Sequence, residues 1–138
     1  MSTRAAAILI AGVLCVGCSG AREQQRRAEA GRLGRAIDAL REAPNPEKRP
    51  LLRALESEPC SAAELCALKQ TCVDAYARHL NALDGVQASR RALEDREPET
   101  DSRRVAELVA ASERELAEAR RLGERCAELR GEAQRRYR

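Results

Sequence analysis

The chain has 138 residues, which is the length of one domain. Its 25 Lys and Arg residues nearly balance 22 Asp and Glu residues, so charge gives no reason to expect a nucleic-acid partner. Trp and Phe are absent, and Tyr76 and Tyr137 are the only aromatic residues, which excludes the stacking platforms that bind single-stranded bases. Alanine, arginine, glutamate and leucine dominate the composition and favour helices over strands.

The first residues have the anatomy of an export signal. Residues 1–4 form a positively charged start, and residues 5–17 are an apolar run of 13 residues. This run is too short to span a bilayer, for which a helix needs about 20 residues. It ends in Leu14-Cys15-Val16-Gly17-Cys18-Ser19, which resembles the lipobox of bacterial lipoprotein precursors. Cys15 departs from the pattern, because that class usually has Leu there.

The resemblance implies an anchor and a location. In this class the signal peptide, here residues 1–17, is removed, and Cys18 becomes the first residue and carries the acyl chains. Ser19 resembles the residue found in proteins sorted to the outer membrane, so we expect a lipid-anchored protein there that faces the periplasm. Two alternatives stay open. Ordinary signal peptidase could cut after Ser19-Gly20-Ala21 and release a secreted soluble protein, or the segment could stay uncleaved.

Residues 18–58 are expected to form a stalk and short helices. Apolar residues recur at helical spacing in the stretch that ends at Ala43, namely Leu33, Ala36, Ile37 and Leu40. Gly31 and Gly34 each weaken a helix by about 1 kcal/mol relative to Ala, so we expect the first turns to be a flexible stalk. A Pro-Asn-Pro breaker follows, and a second, short helix should end near Glu58.

Residues 59–138 are expected to form an antiparallel helical hairpin. The motif at residues 61–64, Ser-Ala-Ala-Glu, predicts a capping box that begins a helix running to about Asp95. A short polar connection should lead to a last helix over residues 102–135. Both helices carry an apolar seam with a heptad-like rhythm, and Gly85 is expected to permit a bend in the first. With the shorter helices packed against it, the hairpin predicts an all-α small bundle.

The cysteines predict the register of this hairpin. In an exported protein Cys60, Cys66, Cys72 and Cys126 should form two disulfides. Cys66 and Cys72 lie on one helix about 9 Å apart along its axis, too far for a bond. With the connection centred near residue 99, facing residues should have numbers that add to about 198, as Cys72 and Cys126 do. We therefore expect Cys72–Cys126 across the hairpin and Cys60–Cys66 at its base.

Candidates for catalysis or metal binding are few. His79 is the only histidine and lies on the apolar seam, where a histidine is usually a packing residue. Its nearest acids in sequence, Asp74 and Asp84, lie on other faces of the helix. A zinc site from Cys60, Cys66, Cys72 and His79 has spacings unlike those of structural zinc sites. No nucleophile elbow or phosphate loop is present, so we expect no catalysis, no metal and no cofactor.

Arginine is frequent on the last helix and at the end of the chain. Arg135, Arg136 and Arg138 are candidates for contact with an anionic partner, either an envelope polymer or the acidic face of an envelope protein. The alternative is a solvated face, since glutamates alternate with the arginines along the helix.

These observations predict a lipid-anchored cell-envelope protein with a binding or structural role and no catalysis. Its partners would be the membrane, through the N-terminal lipid, and an unidentified envelope component. The apolar seams could instead pack against a second copy of the chain in a homodimer, because two helices alone bury little surface. A periplasmic chaperone-like or stress-response helical protein would also fit the sequence, as would a pilot-type accessory lipoprotein of a secretion system.

Overall fold

The computed structural model describes residues 17–94 and 101–138, with the side chains of residues 20–94 and 102–138. This part of the chain has the elements α1 (Gly17–Glu42), a 3-10 turn (Asn45–Glu47), α2 (Lys48–Ser57), α3 (Ala63–Glu94) and α4 (Asp101–Arg136). The expected all-α fold is therefore confirmed. Most of the expected signal peptide, residues 1–16, and most of the connection between the long helices, residues 95–100, lie outside the described residues.

Helix α1 is longer than its sequence suggests. It runs without a break through Gly31 and Gly34, and its first turns are helical where a flexible stalk was expected. Tertiary packing explains why the helix continues through the two glycines, because Leu33, Ile37 and Leu40 are at most 3% exposed in the core. Burying three such side chains stabilises the helix by several kcal/mol, roughly 1.5–3 each, which exceeds the cost of two glycines.

Helices α3 and α4 form the long antiparallel hairpin in the expected register. Cys72 is bonded to Cys126, and Gly85 lies against Ser112 about three and a half turns further along α3. Near the other end of the hairpin, Arg136 pairs with Glu64 at 3.2 Å. All three facing pairs have residue numbers that add to about 198, so the two helices keep one register along the length that these contacts span.

The core occupies only one end of the hairpin, which we call the base. Six large side chains are fully buried there: Leu33, Leu40, Leu55, Leu65, Leu68 and Cys72. Helix α1 lies along the seam between α3 and α4, and α2 packs on α3. Beyond Gly85 the seam is open, because Val86, Leu93 and Val109 are 46%, 65% and 42% exposed. We call this second part of the hairpin, residues 85–94 and 101–113, the distal half.

Two lysines satisfy the carbonyl groups at the ends of the first two helices. Lys48 is 7% exposed, and its Nζ donates to the backbone oxygens of Leu40 at 2.6 Å and Arg41 at 3.2 Å. Lys69 Nζ donates at 2.8 Å to the backbone oxygen of Glu58, just after α2 ends, and at 3.2 Å to that of Glu56. A compact ammonium group suits this role, since it has three donors and favours the negative end of a helix dipole.

The expected capping box at residues 61–64 is wrong. The Ser61 backbone N–H donates to Glu29 Oε1 at 2.7 Å, and its hydroxyl donates to Glu29 Oε2 at 2.6 Å. Glu29, on α1, is only 2% exposed and thus takes the role that the motif assigned to Glu64. The Glu64 carboxylate instead accepts a hydrogen bond from the Tyr137 hydroxyl. A carboxylate from another helix therefore binds the start of α3 and ties it to α1.

Gly85 allows a close approach of two helices. A Cβ atom at this position would clash with the Ser112 hydroxyl and lie 3.3 Å from Ser112 Cβ. The Ser112 hydroxyl is held by a 2.8 Å hydrogen bond to the backbone oxygen of Leu108, and Ser89 makes the same kind of bond to Gly85 at 2.9 Å. Small residues at this position let α3 and α4 approach each other closely.

Candidate functional site

Both disulfides have the pairing that was expected from helix geometry. Cys60 is bonded to Cys66 with their Cα atoms 5.3 Å apart, and Cys72 is bonded to Cys126 with a Cα separation of 4.9 Å. Because these four sulfur atoms are bonded to one another, they offer neither a thiolate nucleophile nor thiolate ligands for a metal. The alternative zinc set with His79 is therefore not assembled.

His79 lies at the edge of a hollow of about 360 Å³ between the tip of α1 and the hairpin. Its Nε2 is 3.4 Å from Asn45 Oδ1. Partial burial and the positive charge of Lys48 lower the pKa of His79 below its ordinary value. The other charged residues lining the hollow, Arg41 and Arg120, are also cationic. A general base usually needs an acidic or hydrogen-bonding group that orients it. Among the described residues, Asn45 alone lies within hydrogen-bond distance of the His79 ring.

The most distinctive surface is an apolar groove along the distal half and the adjoining turns of both long helices, which we call the distal groove. It has a volume of about 280 Å³ and an almost entirely apolar surface. Its walls come from both long helices: Ala82, Leu83, Val86, Ser89 and Leu93 on α3, and Val105, Val109, Ser112 and Leu116 on α4. His79, Arg90 and Glu113 complete its rim. The groove can accept an apolar side chain or helix face, but it offers few hydrogen bonds.

The distal groove continues the seam that α1 occupies at the base. His79 and Leu116 line both the groove and the hollow beside Arg41, so the two depressions adjoin on the same side of the hairpin. Helix α1 ends at Glu42, and the 3-10 turn that follows leads the chain away into α2. The groove is therefore the part of the α3–α4 seam that α1 does not reach.

The three arginines near the end of the chain do not form one cluster. Arg136 pairs with Glu64 and lies 5.6 Å from the centre of the Tyr137 ring. Arg135 extends along α4, with Nη1 3.3 Å from where a Cβ of Gly131 would be. Arg138 alone lines a separate depression between α1 and α4, which we call the basic hollow. Its volume is about 330 Å³.

The basic hollow includes residues that the sequence did not single out. Arg27 and Arg35 from α1 line it together with Arg130 and Arg138 from α4. Arg130 is bound to Asp38, the one acidic residue in the lining. The sequence gives only one signal for this site, the enrichment of arginine in α1 and near the end of α4. The contact itself joins residues about a hundred positions apart, which local sequence patterns do not predict.

Cys18, the expected lipid attachment site, lies in the first turn of α1. At 1.5 Å per helical residue, it is about 16 Å from Glu29, the first buried side chain among those described in that helix. None of the described helices has an apolar stretch that is long enough to cross a bilayer.

Comparison with known proteins adds no relative. No protein-family model, no curated protein and no solved structure matches this chain. Fold and site geometry are therefore the basis for any statement about function.

Proposed function

We propose that this chain is a lipid-anchored cell-envelope protein, held at the outer membrane through Cys18, that binds another envelope component in its distal groove. The lipobox-like motif supports the anchor, and two disulfides are typical of an oxidising compartment such as the periplasm. The distal groove is the single observation that carries the binding role. Isolated exposed apolar residues are common, but an apolar groove shared by two helices indicates an interaction surface.

The two ends of the molecule suit this arrangement. Helix α1 runs antiparallel to the end of α4, because Asp38 meets Arg130 while Arg27 lines the same hollow as Arg138. The start of α1, with Cys18, therefore extends from the base. The distal groove lies toward the other end of α3, a helix of 32 residues and thus about 48 Å long. A lipid on Cys18 would leave the groove far from the bilayer surface.

The occupant that fits best is an amphipathic helix of a partner protein. At the base the same seam is filled by a helix, α1, through Leu33, Ile37 and Leu40. A partner helix in the distal groove would extend this packing and complete a three-helix layer over the hairpin. An outer-membrane channel subunit, as expected for a pilot-type lipoprotein, would be one such partner.

Site-specific photo-crosslinking in living cells tests this role. A photoreactive residue at Val109 should yield one discrete adduct, whereas the same residue at Glu107, an exposed position outside the groove, should yield none. Val109→Asp should abolish capture of the partner, and Ala106→Asp, another exposed position on α4 outside the groove, should leave it unchanged. Equal capture by the two aspartate variants would refute binding at the groove. An adduct of twice the chain mass would identify a homodimer instead.

A chaperone-like function is the second candidate, because the groove has almost no polar surface to select one partner. It predicts that the purified protein suppresses aggregation of several unrelated unfolded clients and that Val109→Asp weakens this effect. A single crosslinked partner, with no suppression of aggregation, would argue against it.

A further inference from the structure

We infer that the basic hollow between α1 and the end of α4 binds a phosphate ester. This site lies at the base and is separate from the distal groove. Its shape comes from glycine, since nothing lies within 4 Å of where a Cβ of Gly34 would be. Larger residues at this point would fill the space. The hollow has a volume of about 330 Å³, near the lower end of the range for small-molecule sites.

The charges around the hollow favour an anion. Four arginines line it against one acidic residue, Asp38. Arg27 is already paired with Glu23 at 3.4 Å, and Arg130 is bound to Asp38. Arg35 and Arg138 form no ion pair with any carboxylate of the described residues. Two guanidinium groups in the lining of the hollow are thus available to a ligand.

The chemistry of these groups selects phosphate. A guanidinium is a planar fork of N–H donors that matches two oxygens of one phosphate group. Arg130 is only 16% exposed and held by Asp38, so it uses one N–H on that residue and keeps a fixed position in the lining. Such a preorganised donor lowers the entropic cost of binding.

The floor of the hollow indicates that the ligand also has an apolar part. Ala30, Leu68 and Ala133 line it beside the glycines, so a phosphate alone would leave this surface unused. A phosphate ester on a short carbon chain has both features. This chemistry occurs in lipid headgroups and in free phosphate esters. If Cys18 is acylated, Arg27 lies about 14 Å along α1 from the anchor, within reach of headgroups.

Calorimetry on the full chain in a neutral detergent tests the site. The probes are inorganic phosphate, glycerol 3-phosphate and a phosphatidylglycerol with six-carbon chains below its micelle concentration. Arg35→Gln combined with Arg138→Gln should weaken binding of the two esters about a hundredfold or more, because two charge-assisted hydrogen bonds are lost and each contributes about tenfold in affinity. The matched control is Arg103→Gln with Arg104→Gln, two exposed arginines at the start of α4, which should bind like the original chain.

A second variant guards against a folding defect. Gly34→Leu fills the hollow with a better helix former and should also abolish binding, while far-UV circular dichroism stays unchanged. Tighter binding of the phosphatidylglycerol than of glycerol 3-phosphate supports a headgroup as the source of the ester, and equal binding supports a free ester. Absence of binding by all probes, or equal weakening by the two double variants, would overturn the site.

Discussion

The base and the distal half of the hairpin carry the same kind of apolar seam but differ in what covers it. At the base, Leu65 and Leu68 are completely buried under α1, and a disulfide joins α3 to α4. In the distal half, Val86 and Leu93 follow at similar spacing but are about half exposed or more. Heptad spacing thus indicates that two helices pack together. It does not indicate whether a third element of the same chain completes the layer.

The largest change in stability should come from removal of the Cys72–Cys126 disulfide, which joins α3 to α4 at the base. Replacing both cysteines by alanine should lower the free energy of unfolding by about 4 kcal/mol, because the bond closes a 54-residue separation. Removal of Cys60–Cys66, which spans six residues, should cost about 2 kcal/mol on the same loop-entropy basis. Urea unfolding measures both values. Equal costs for the two bonds would contradict the loop-entropy explanation.

Single alanine substitutions should then separate the two regions directly. Leu68→Ala at the base should cost about 2–5 kcal/mol, since it leaves a cavity in a close-packed core. Leu93→Ala, at a side chain that is 65% exposed, should change stability by less than about 0.5 kcal/mol. Urea midpoints provide the comparison. A large cost at Leu93 would mean that the distal groove is covered in solution, for example by a second copy.

A side chain at Gly85, at the border between the two regions, should destabilise the fold. Gly85→Ala should lower stability by about 1–2 kcal/mol, because the clash with Ser112 outweighs the better helix propensity of alanine. The control is Gly123→Ala, where nothing lies within 4 Å of the added Cβ and stability should rise by up to about 1 kcal/mol. Thermal melts of the two variants should therefore shift in opposite directions.

The smallest effect should be a pH dependence at the base. The hydrogen bond from Tyr137 lowers the pKa of Glu64 below its ordinary value, with help from the nearby charge of Arg136. A carboxyl group whose pKa is lowered by folding stabilises the protein at pH values above its pKa in the unfolded chain. This stabilisation is lost as the pH falls through the lower pKa of the folded state. Tyr137→Phe should therefore lose less stability than the original chain as the pH falls from about 6 to about 2. Parallel acid profiles for the two proteins would contradict this assignment.

Much of the fold could be predicted from the sequence, because local rules govern it. Helix α3 begins at Ala63, within the motif at residues 61–64 that predicted its start, and hairpin geometry selected both disulfides. The distal groove could not be predicted, since exposure of a seam depends on where α1 stops. Contacts such as Glu29 with Ser61 also escaped prediction, because they join residues 32 positions apart and override a local capping motif.

The two lysine caps give the protein an internal reporter of its folded state. All but two of its 25 basic residues are arginine, so Lys48 and Lys69 offer the only side-chain amines. Both amines are engaged with helix carbonyls in the folded chain, and Lys48 is 7% exposed. Amine-reactive labels should therefore modify Lys48 slowly until the end of α1 opens. Its acylation rate would report the detachment of that helix from the hairpin without any introduced probe.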